Sequence, residues 1–535
     1  MNTREAIVVG SGPAGVACAA ALLEKGIAVT LLDAGLALEP AVKKKVARLA
    51  AIPPPLWDAA AVSAIKGNIV PGKKGIPLKL LFGSDFPYRD AETLLRCRLE
   101  NIGLRPSLAL GGFSNVWGAA MLPYLDADMP DWPVNNAHLA QHYAAVARIA
   151  GLAGAHDDLE KFFPLFVENP PALKLSTQSR ILRNNLEKHR DELATHGIFF
   201  GASRLAVQAA AGNGAPGCVY CGMCMYGCPW CCIYNSADTV ARLQDNPAFR
   251  YQPGIIVDRV AESGGAAQIT GRHMESGEPF HASTSRVYLA AGAISTTGIL
   301  LRSLDAFDRP VSIKDSQYFL FPLLMGRKAK GMRHEPLHTL SQLFIEIFDP
   351  KVSPHTVHLQ VYSYNDLIGG ALRDSFGPVA GKIDALVREF EDRLMIVQGY
   401  LHSDFSSQIN VTLSRGADAN SSQLLLSPEI NKATKPAVRR VVSKLLRQSL
   451  LMGAAPLPPM LQIAGPGRGF HSGGSFPMRA APGKFETDTL GRPSGFTRIH
   501  AVDATVFPSI PATTITFSAM ANAHRIGWES ASLNR

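Results

Sequence analysis

The chain of 535 residues lacks any uninterrupted apolar run of the roughly 18 residues that a membrane-spanning helix requires. It has no low-complexity tract, and 47% apolar with 18% charged residues excludes a mainly disordered chain. The opening MNTREAIVVG enters a strand pattern at once, without a basic, apolar leader; the expected location is cytoplasmic, with export beside a signal-bearing partner left open. Arginine-rich and aromatic-basic recognition patterns are missing, so the net charge of +9 does not point to nucleic acid. It reads as a solvated basic surface, densest at Lys43, Lys44, Lys45 and at Lys73, Lys74. The sharper alternative is a docking face for an acidic partner or an anionic membrane. Cysteine is also scarce. Of eight, Cys18 and Cys97 stand in apolar company as small buried fillers.

The other six are packed into CVYCGMCMYGCPWCC, residues 218 to 232. Cys218, Cys221, Cys224 and Cys228, followed by Pro229, have the spacing of a bacterial ferredoxin run, whose two-residue gaps turn the chain back and aim successive sulfurs inward. Zinc fits less well, because no histidine falls inside the segment and no second ligand pair lies a dozen residues away. Disulfides fit less well in a chain without a secretion leader. There is no second run, and in two-cluster ferredoxins the fourth cysteine serves the other cluster. A single 4Fe-4S cluster therefore needs its fourth ligand from Cys228, Cys231 or Cys232, while a 3Fe-4S cluster on three cysteines is equally allowed. A purely structural cysteine loop is the reading without metal.

From residue 6 the chain reads AIVVGSGPAGVACAAALLEKGIAVTLLDAG. An apolar strand enters Gly10-Ser11-Gly12-Pro13-Ala14-Gly15, an Ala/Leu-rich helix follows to about Lys25, and IAVTLLD returns as a second strand. This is the dinucleotide fingerprint in its required strand, helix, strand context. Gly10 permits the tight turn, Gly12 lets backbone approach a pyrophosphate, Gly15 lets helix and strand pack, and helix amides face the phosphate charge. Asp33 ends the second strand, where it can bond ribose hydroxyls. The fingerprint alone does not choose between FAD and NAD.

Five collinear segments resemble the glucose-methanol-choline (GMC) family of FAD oxidoreductases. LGGFSNVWG, residues 110 to 118, followed by Asp131-Trp132-Pro133, is similar to the family's flavin-cradling stretch. VYLAAGAIST, residues 287 to 296, is similar to its strand and turn. HSGGSFPM from His471, VDATVFP from Val502 and PATTITFSAMANA from Pro511 are similar to its C-terminal motifs. The resemblance implies FAD as cofactor, bound by Gly10, Gly12, Gly15, Asp33, Gly111, Gly112, Ser114, Asn115, Trp117, Asp503, Ala504 and Thr514. It also implies His471 as the catalytic base, a role that suits an imidazole titrating near working pH. The family's second catalytic residue, Asn or His before the proline of the last helix, is missing, since Ile510 precedes Pro511. Thr513 or Thr514 is the expected substitute, with helix-start amides stabilising negative charge; His500, His524 and Asn522 are weaker candidates.

Between 311 and 464 the pattern changes to short alternating strands, at 317 to 325, 340 to 348, 356 to 364, 394 to 401 and 407 to 414, with helices near 379 to 394 and 436 to 453. The expected fold is mixed α/β and α+β. A discontinuous Rossmann-like FAD-binding domain, 1–310 and 465–535, includes the Cys-rich segment, and an antiparallel-sheet substrate domain spans 311–464, as in the GMC family. Gln360, Tyr362 and Tyr364 share one strand face and Gln398 and Tyr400 another, which suits a hydroxyl-rich substrate or a packed sheet face. Residues 36 to 90 form a Pro/Lys-rich excursion, a lid or a docking loop. The resulting expectation is an FAD-dependent dehydrogenase that oxidises a CH–OH group, on a sugar or polyol, and relays electrons through the cysteine cluster to a redox partner protein or quinone. Some GMC sugar dehydrogenases carry a three-iron cluster in this region and a small companion subunit, and the resemblance extends both expectations here. The alternatives are an oxidase that uses oxygen with inert cysteines, and a flavin-binding electron-transfer or scaffold subunit without alcohol chemistry.

Overall fold

The computed structural model describes residues 5–67, 78–212, 216–367, 369, 384–416 and 421–534. Lys73, Lys74 and the first part of the helix expected near 379 lie outside the described residues.

Five parallel strands form one sheet, in the order Ile499–Ala501, Arg286–Leu289, Glu5–Val9, Ala28–Leu32, Phe249–Gln252. Sequence-distant strands meet here because a parallel sheet needs crossovers and buries both faces, which explains why AIVV and VYL are apolar throughout. The helix Pro13–Glu24 begins with proline at its first position, where the missing N–H costs nothing. It packs against the last helix, Ile515–Ser530. Their contact is close because Gly527 faces Cys18: a Cβ at 527 would stand 2.9 Å from the Cys18 carbonyl oxygen. Cys18 and Cys97 are both buried, as expected of small fillers.

An antiparallel wall faces this unit. Its strands run in the order Ala454–Pro456, Gln317–Met325, Leu394–Leu401, Val357–Tyr362, Leu343–Ile347, Ile198–Ala202. Alternation decides its two faces. Phe319, Phe321, Val361, Met395 and Val397 join a core with the helices Thr177–Lys188 and Thr434–Arg447. The intervening Tyr318, Gln360, Tyr362, Gln398 and Tyr400 turn the other way, into a cavity. Ile198–Ala202, far upstream of residue 311, supplies this sheet's edge. Gln408–Arg415 leaves it for a smaller sheet with Val311–Asp315, Ser422–Glu429, Cys97–Leu99 and Ser472–Gly473. Among the described residues no helix is long and apolar enough to cross a membrane.

The excursion from residue 36 packs over the Cys-rich segment. Trp57 stacks on Trp230 at 5.5 Å, the Phe82 amide donates to the Tyr226 carbonyl at 2.6 Å, and Leu49 and Ile65 share a cluster with Met223 and Tyr226. Its described part covers the cysteines.

Candidate active site

A cavity of about 450 Å³ runs from the glycine turn at Gly10 and Gly12 to the wall residues Gln360 and Tyr400. At its nucleotide end, Gly10 has φ +103°, and an added Cβ would meet the Ala290 carbonyl oxygen at 2.5 Å. A Cβ at Gly15 would stand 1.9 Å from the Gly10 carbonyl oxygen, whereas one at Gly12 would meet nothing within 4 Å. Gly10 and Gly15 are therefore required by packing, and Gly12 keeps the cavity floor open. Asp33 accepts from Ser11 Oγ, and Ser11 Oγ accepts in turn from the Gly111 amide at 2.8 Å. Burial pushes the Asp33 carboxyl up to about 7, against the pull of its Ser11, Ala34 and Tyr251 bonds.

The segment from 110 to 118 forms the adjoining side. Gly111 has φ +84° and sits against Asn235, whose Oδ1 would be 2.4 Å from an added Cβ. Asn115 donates to the Leu110 and Gly112 carbonyls and accepts from Asn235 Nδ2 at 2.8 Å. Ser114 Oγ meets Gly111 O and Ser236 Oγ, and Trp117 Nε1 donates to Tyr234 O. Gly112, Ser114 and Trp117 line the cavity; Gly15, Gly111 and Asn115 hold the frame behind it. Asp503 and Ala504 line it as well. The Asp503 carboxylate is occupied by Thr296 Oγ1 at 2.6 Å and by the Gly292 and Thr505 amides, so it fixes the turn ahead of the helix Ala293–Ser303.

At the opposite end, His471 faces the cavity with its ring stacked on Tyr400, centroids 4.7 Å apart. Its Nδ1 has no hydrogen-bond partner. Burial lowers the imidazole to about 3, so the ring is neutral across the ordinary pH range. The loop that carries it is tied by Asp315, which accepts from the Gly467 amide at 2.6 Å and Ser472 Oγ at 2.7 Å. Beside it runs a buried chain of side chains. Tyr362 donates to Gln360 Oε1 at 2.8 Å, Gln360 Nε2 stands 3.1 Å from His358 Nε2, and His358 Nδ1 lies 2.6 Å from Glu346. A carboxylate at the far end fixes the imidazole's proton on Nδ1, which leaves Nε2 to accept from Gln360 and orients the amide and phenol at the cavity wall.

The start of the last helix closes the cavity: Thr514, Ile515, Thr516 and Ala519 line it. Thr514 Oγ1 accepts from the Leu122 amide at 2.9 Å, and no side chain caps the helix. Thr513 is fully buried behind the lining, its Oγ1 without a partner, and Ile510 is buried outside it. His500 stacks on Tyr288 and binds Leu490 O, His524 meets His142 at 2.9 Å, and Asn522 accepts from Arg525; these three are packing residues. Gln360, Tyr362, Gln398 and Tyr400 all reach the cavity, while Tyr364 stays outside it. Sequence reasoning missed Tyr318, Arg468 and Lys79, which also line it. Period-2 alternation could have found Tyr318; no local pattern marks the other two.

Cys218, Cys221, Cys224, Cys228 and Cys232 line one small void with Tyr220 and His338. Cys231 is exposed and lies off it. Among the described residues no three of these thiols come within 4.8 Å of one another. The Cys232 thiol and the amides of Cys232, Ile233 and Trp230 donate to Cys228 and hold its thiol below the usual range; burial raises Cys218, Cys221 and Cys224. Lys79 lies between the two features. It lines the main cavity and donates to Trp117 O at 2.9 Å; burial lowers it to about 8 against the attraction of Cys224 and Cys228.

The fold is shared with solved oxidase structures. Pyridoxine 4-oxidase from Mesorbium loti matches with a TM-score of 0.57 at 14% identity, covering 98% of both chains. Formate oxidase matches with a TM-score of 0.60 at 14% identity, over 98% of this chain and 97% of that one. An Aspergillus oryzae formate oxidase, in which a mutation's effect on FAD modification was determined, matches to the same extent. No family model and no curated protein matches the sequence. At this identity the likeness is one of fold, and the mixed α/β architecture that the sequence led us to expect is the one observed.

Proposed function

We infer that the protein is an FAD-dependent oxidoreductase of GMC type that oxidises a CH–OH group. The observation that carries this reading is a single cavity with a dinucleotide-type glycine cradle at one end and a neutral, half-free imidazole, His471, at the other. The residues fit FAD: Gly12 leaves the floor clear, Asp33 stands at the strand end, and the uncapped last helix directs its amides inward. When bound, FAD supplies the acceptor for the hydride that leaves the carbinol carbon. His471, kept unprotonated because burial disfavours the imidazolium, accepts the hydroxyl proton at a ring nitrogen. Gln360, Tyr362, Gln398 and Tyr400 offer amide and phenol groups to a polyhydroxylated substrate, which supports a sugar or polyol. Thr514 and the helix-start amides stabilise negative charge where a second catalytic side chain is lacking.

The cysteines would hold a 3Fe-4S or 4Fe-4S cluster, with Cys218, Cys221 and Cys224 joined by Cys228 or Cys232, and this would supply one-electron transfer to a protein or quinone acceptor. Cys231, exposed and off the void that the other five line, is the poorest candidate ligand. Lys43, Lys44 and Lys45 are exposed on a helix whose inner face covers this segment, which supports an acidic redox partner. A second reading, an oxidase with inert cysteines, is favoured by the three fold neighbours, all named oxidases. Iron analysis and electron paramagnetic resonance before and after dithionite separate the two. A cluster signal supports the relay; no iron, together with peroxide formed without added acceptor, supports the oxidase.

His471→Ala tests the shared core of both readings. Turnover should fall by about 10² or more, the usual worth of a general base, with flavin still bound. Unchanged turnover in a flavin-loaded variant contradicts the assignment.

A further inference from the structure

Lys79 is set into the cavity lining without a carboxylate beside it. A lysine ammonium has three N–H donors, and here one is used, on the Trp117 carbonyl oxygen at 2.9 Å. Among the described residues no Asp or Glu forms an ion pair with it; the groups that favour its charge are the thiols of Cys224 and Cys228, which lie off the cavity. A half-buried ammonium with donors left over is costly unless an anion completes it.

Lys79 stands on the substrate side of the cavity. The carbonyl it holds precedes Gly118, and a Cβ at Gly118 would be 3.5 Å from the Tyr362 hydroxyl, so the ammonium lies beside the polar wall of Gln360 and Tyr362. A second cation, Arg468, lines the same end: it stands among Tyr88, Tyr318 and Tyr400, on the loop of His471, whose ring stacks on Tyr400. Arg105 also lines the cavity but is paired with Glu92 at 3.1 Å. The carboxylates of the described lining are Asp33 and Asp503. Both stand toward the glycine turn, where Asp33 accepts from Ser11 and Asp503 from Thr296 and the Gly292 amide. The end that holds His471 is therefore cationic, and a neutral polyol would leave that charge unanswered.

We propose that this end recognises a carboxylate on the substrate through Lys79, with Arg468 on the same wall, which makes a polyhydroxylated acid of aldonate or uronate type the substrate class. The inference rests on the proposed CH–OH oxidation and narrows its substrate. A guanidinium matches the planar carboxylate in shape, and an ammonium meets it as a point charge. The carboxylate takes no part in the oxidation: the carbinol hydroxyl still gives its proton to His471, and the acid group serves to bind the molecule and to set which carbinol faces that ring. Gln360, Tyr362, Gln398 and Tyr400 are left for the hydroxyl groups between.

The test uses the flavin-loaded full-length protein without oxygen and matched acid and alcohol probes, gluconate with sorbitol and galactonate with galactitol, which differ in a carboxylate against a CH2OH terminus. The second-order rate constant for flavin bleaching is measured for each. The unaltered protein should prefer the acid of at least one pair. Lys79→Met should lower that preference by about 10- to 100-fold, the worth of a hydrogen bond to a charged group, chiefly by raising the half-saturating concentration of the acid, and Lys79→Arg, which keeps the charge, should retain most of it. Alcohols that match or exceed their acids in the unaltered protein overturn the proposal and leave the CH–OH oxidation standing. A preference unmoved by Lys79→Met, with bound iron or its paramagnetic signal altered, assigns the charge to the cysteines and also overturns it. Bleaching by none of the four counts against the oxidation itself, and calorimetric titration of the unaltered protein with the same pairs then reads the site alone. Acid binding that tightens as salt is lowered and is lost in Lys79→Met supports it; equal affinity for acid and alcohol overturns it.

Discussion

His471 is held between Tyr400 and the open cavity, and no acceptor or donor fixes its Nδ1. Burial lowers its pKa to about 3, so the neutral, proton-accepting form persists on lowering the pH until that value is approached. The expected kcat/KM profile therefore has no acid limb near the ordinary histidine value of about 6.5. A limb centred there contradicts the environment described for the ring. His471 was legible in the sequence through its motif, and the glycines through their spacing. The sequence could not separate Thr513 from Thr514: adjacent residues at a helix start point in different directions, and Thr514 lies on the cavity side while Thr513 turns into the core. Lys79 and Arg468 escaped notice because a lone cation in a loop acquires meaning only from what folds around it.

At the scale of elements, the glycine turn was legible because Gly10 and Gly15 answer local steric demands. Gly15→Ala would place a methyl group 1.9 Å from the Gly10 carbonyl oxygen, so helix and strand must separate. Flavin content after purification should fall sharply, and a fully loaded, equally stable variant contradicts the packing described. The wall strands were legible through alternation, which also gave the polar face of Gln360, Tyr362, Gln398 and Tyr400. The edge strand Ile198–Ala202 was not assigned to that sheet, since strand pairing across more than a hundred residues leaves no local mark. For the same reason the excursion from residue 36 could not be read as the cover of the cysteines until Trp57 met Trp230.

Across the whole molecule, buried carboxyls couple folding to pH. Asp315, which anchors the His471 loop, is pushed up to about 7 by burial against its bonds to Ser472, Gly467 and Ser316. Its folded-state pKa lies above the unfolded value of about 3.9, so the folded form binds the extra proton. The associated stability is present below pH 4 and is lost as pH rises through 7. Denaturant unfolding of the protein should show this decline, and Asp315→Asn should flatten it; parallel pH dependences in the two proteins contradict the assignment. The joining of a glycine cradle, a buried neutral imidazole and a polar wall into one cavity is a property of the assembled molecule, and it is the centre of the account. Anaerobic mixing of the purified flavoprotein with a panel of sugars, polyols and simple alcohols, followed by the visible flavin absorbance, tests it most directly. The account predicts that at least one polyhydroxylated alcohol bleaches the flavin and that the same alcohol leaves the His471→Ala flavin oxidised. A flavin that dithionite bleaches and no alcohol does would contradict it.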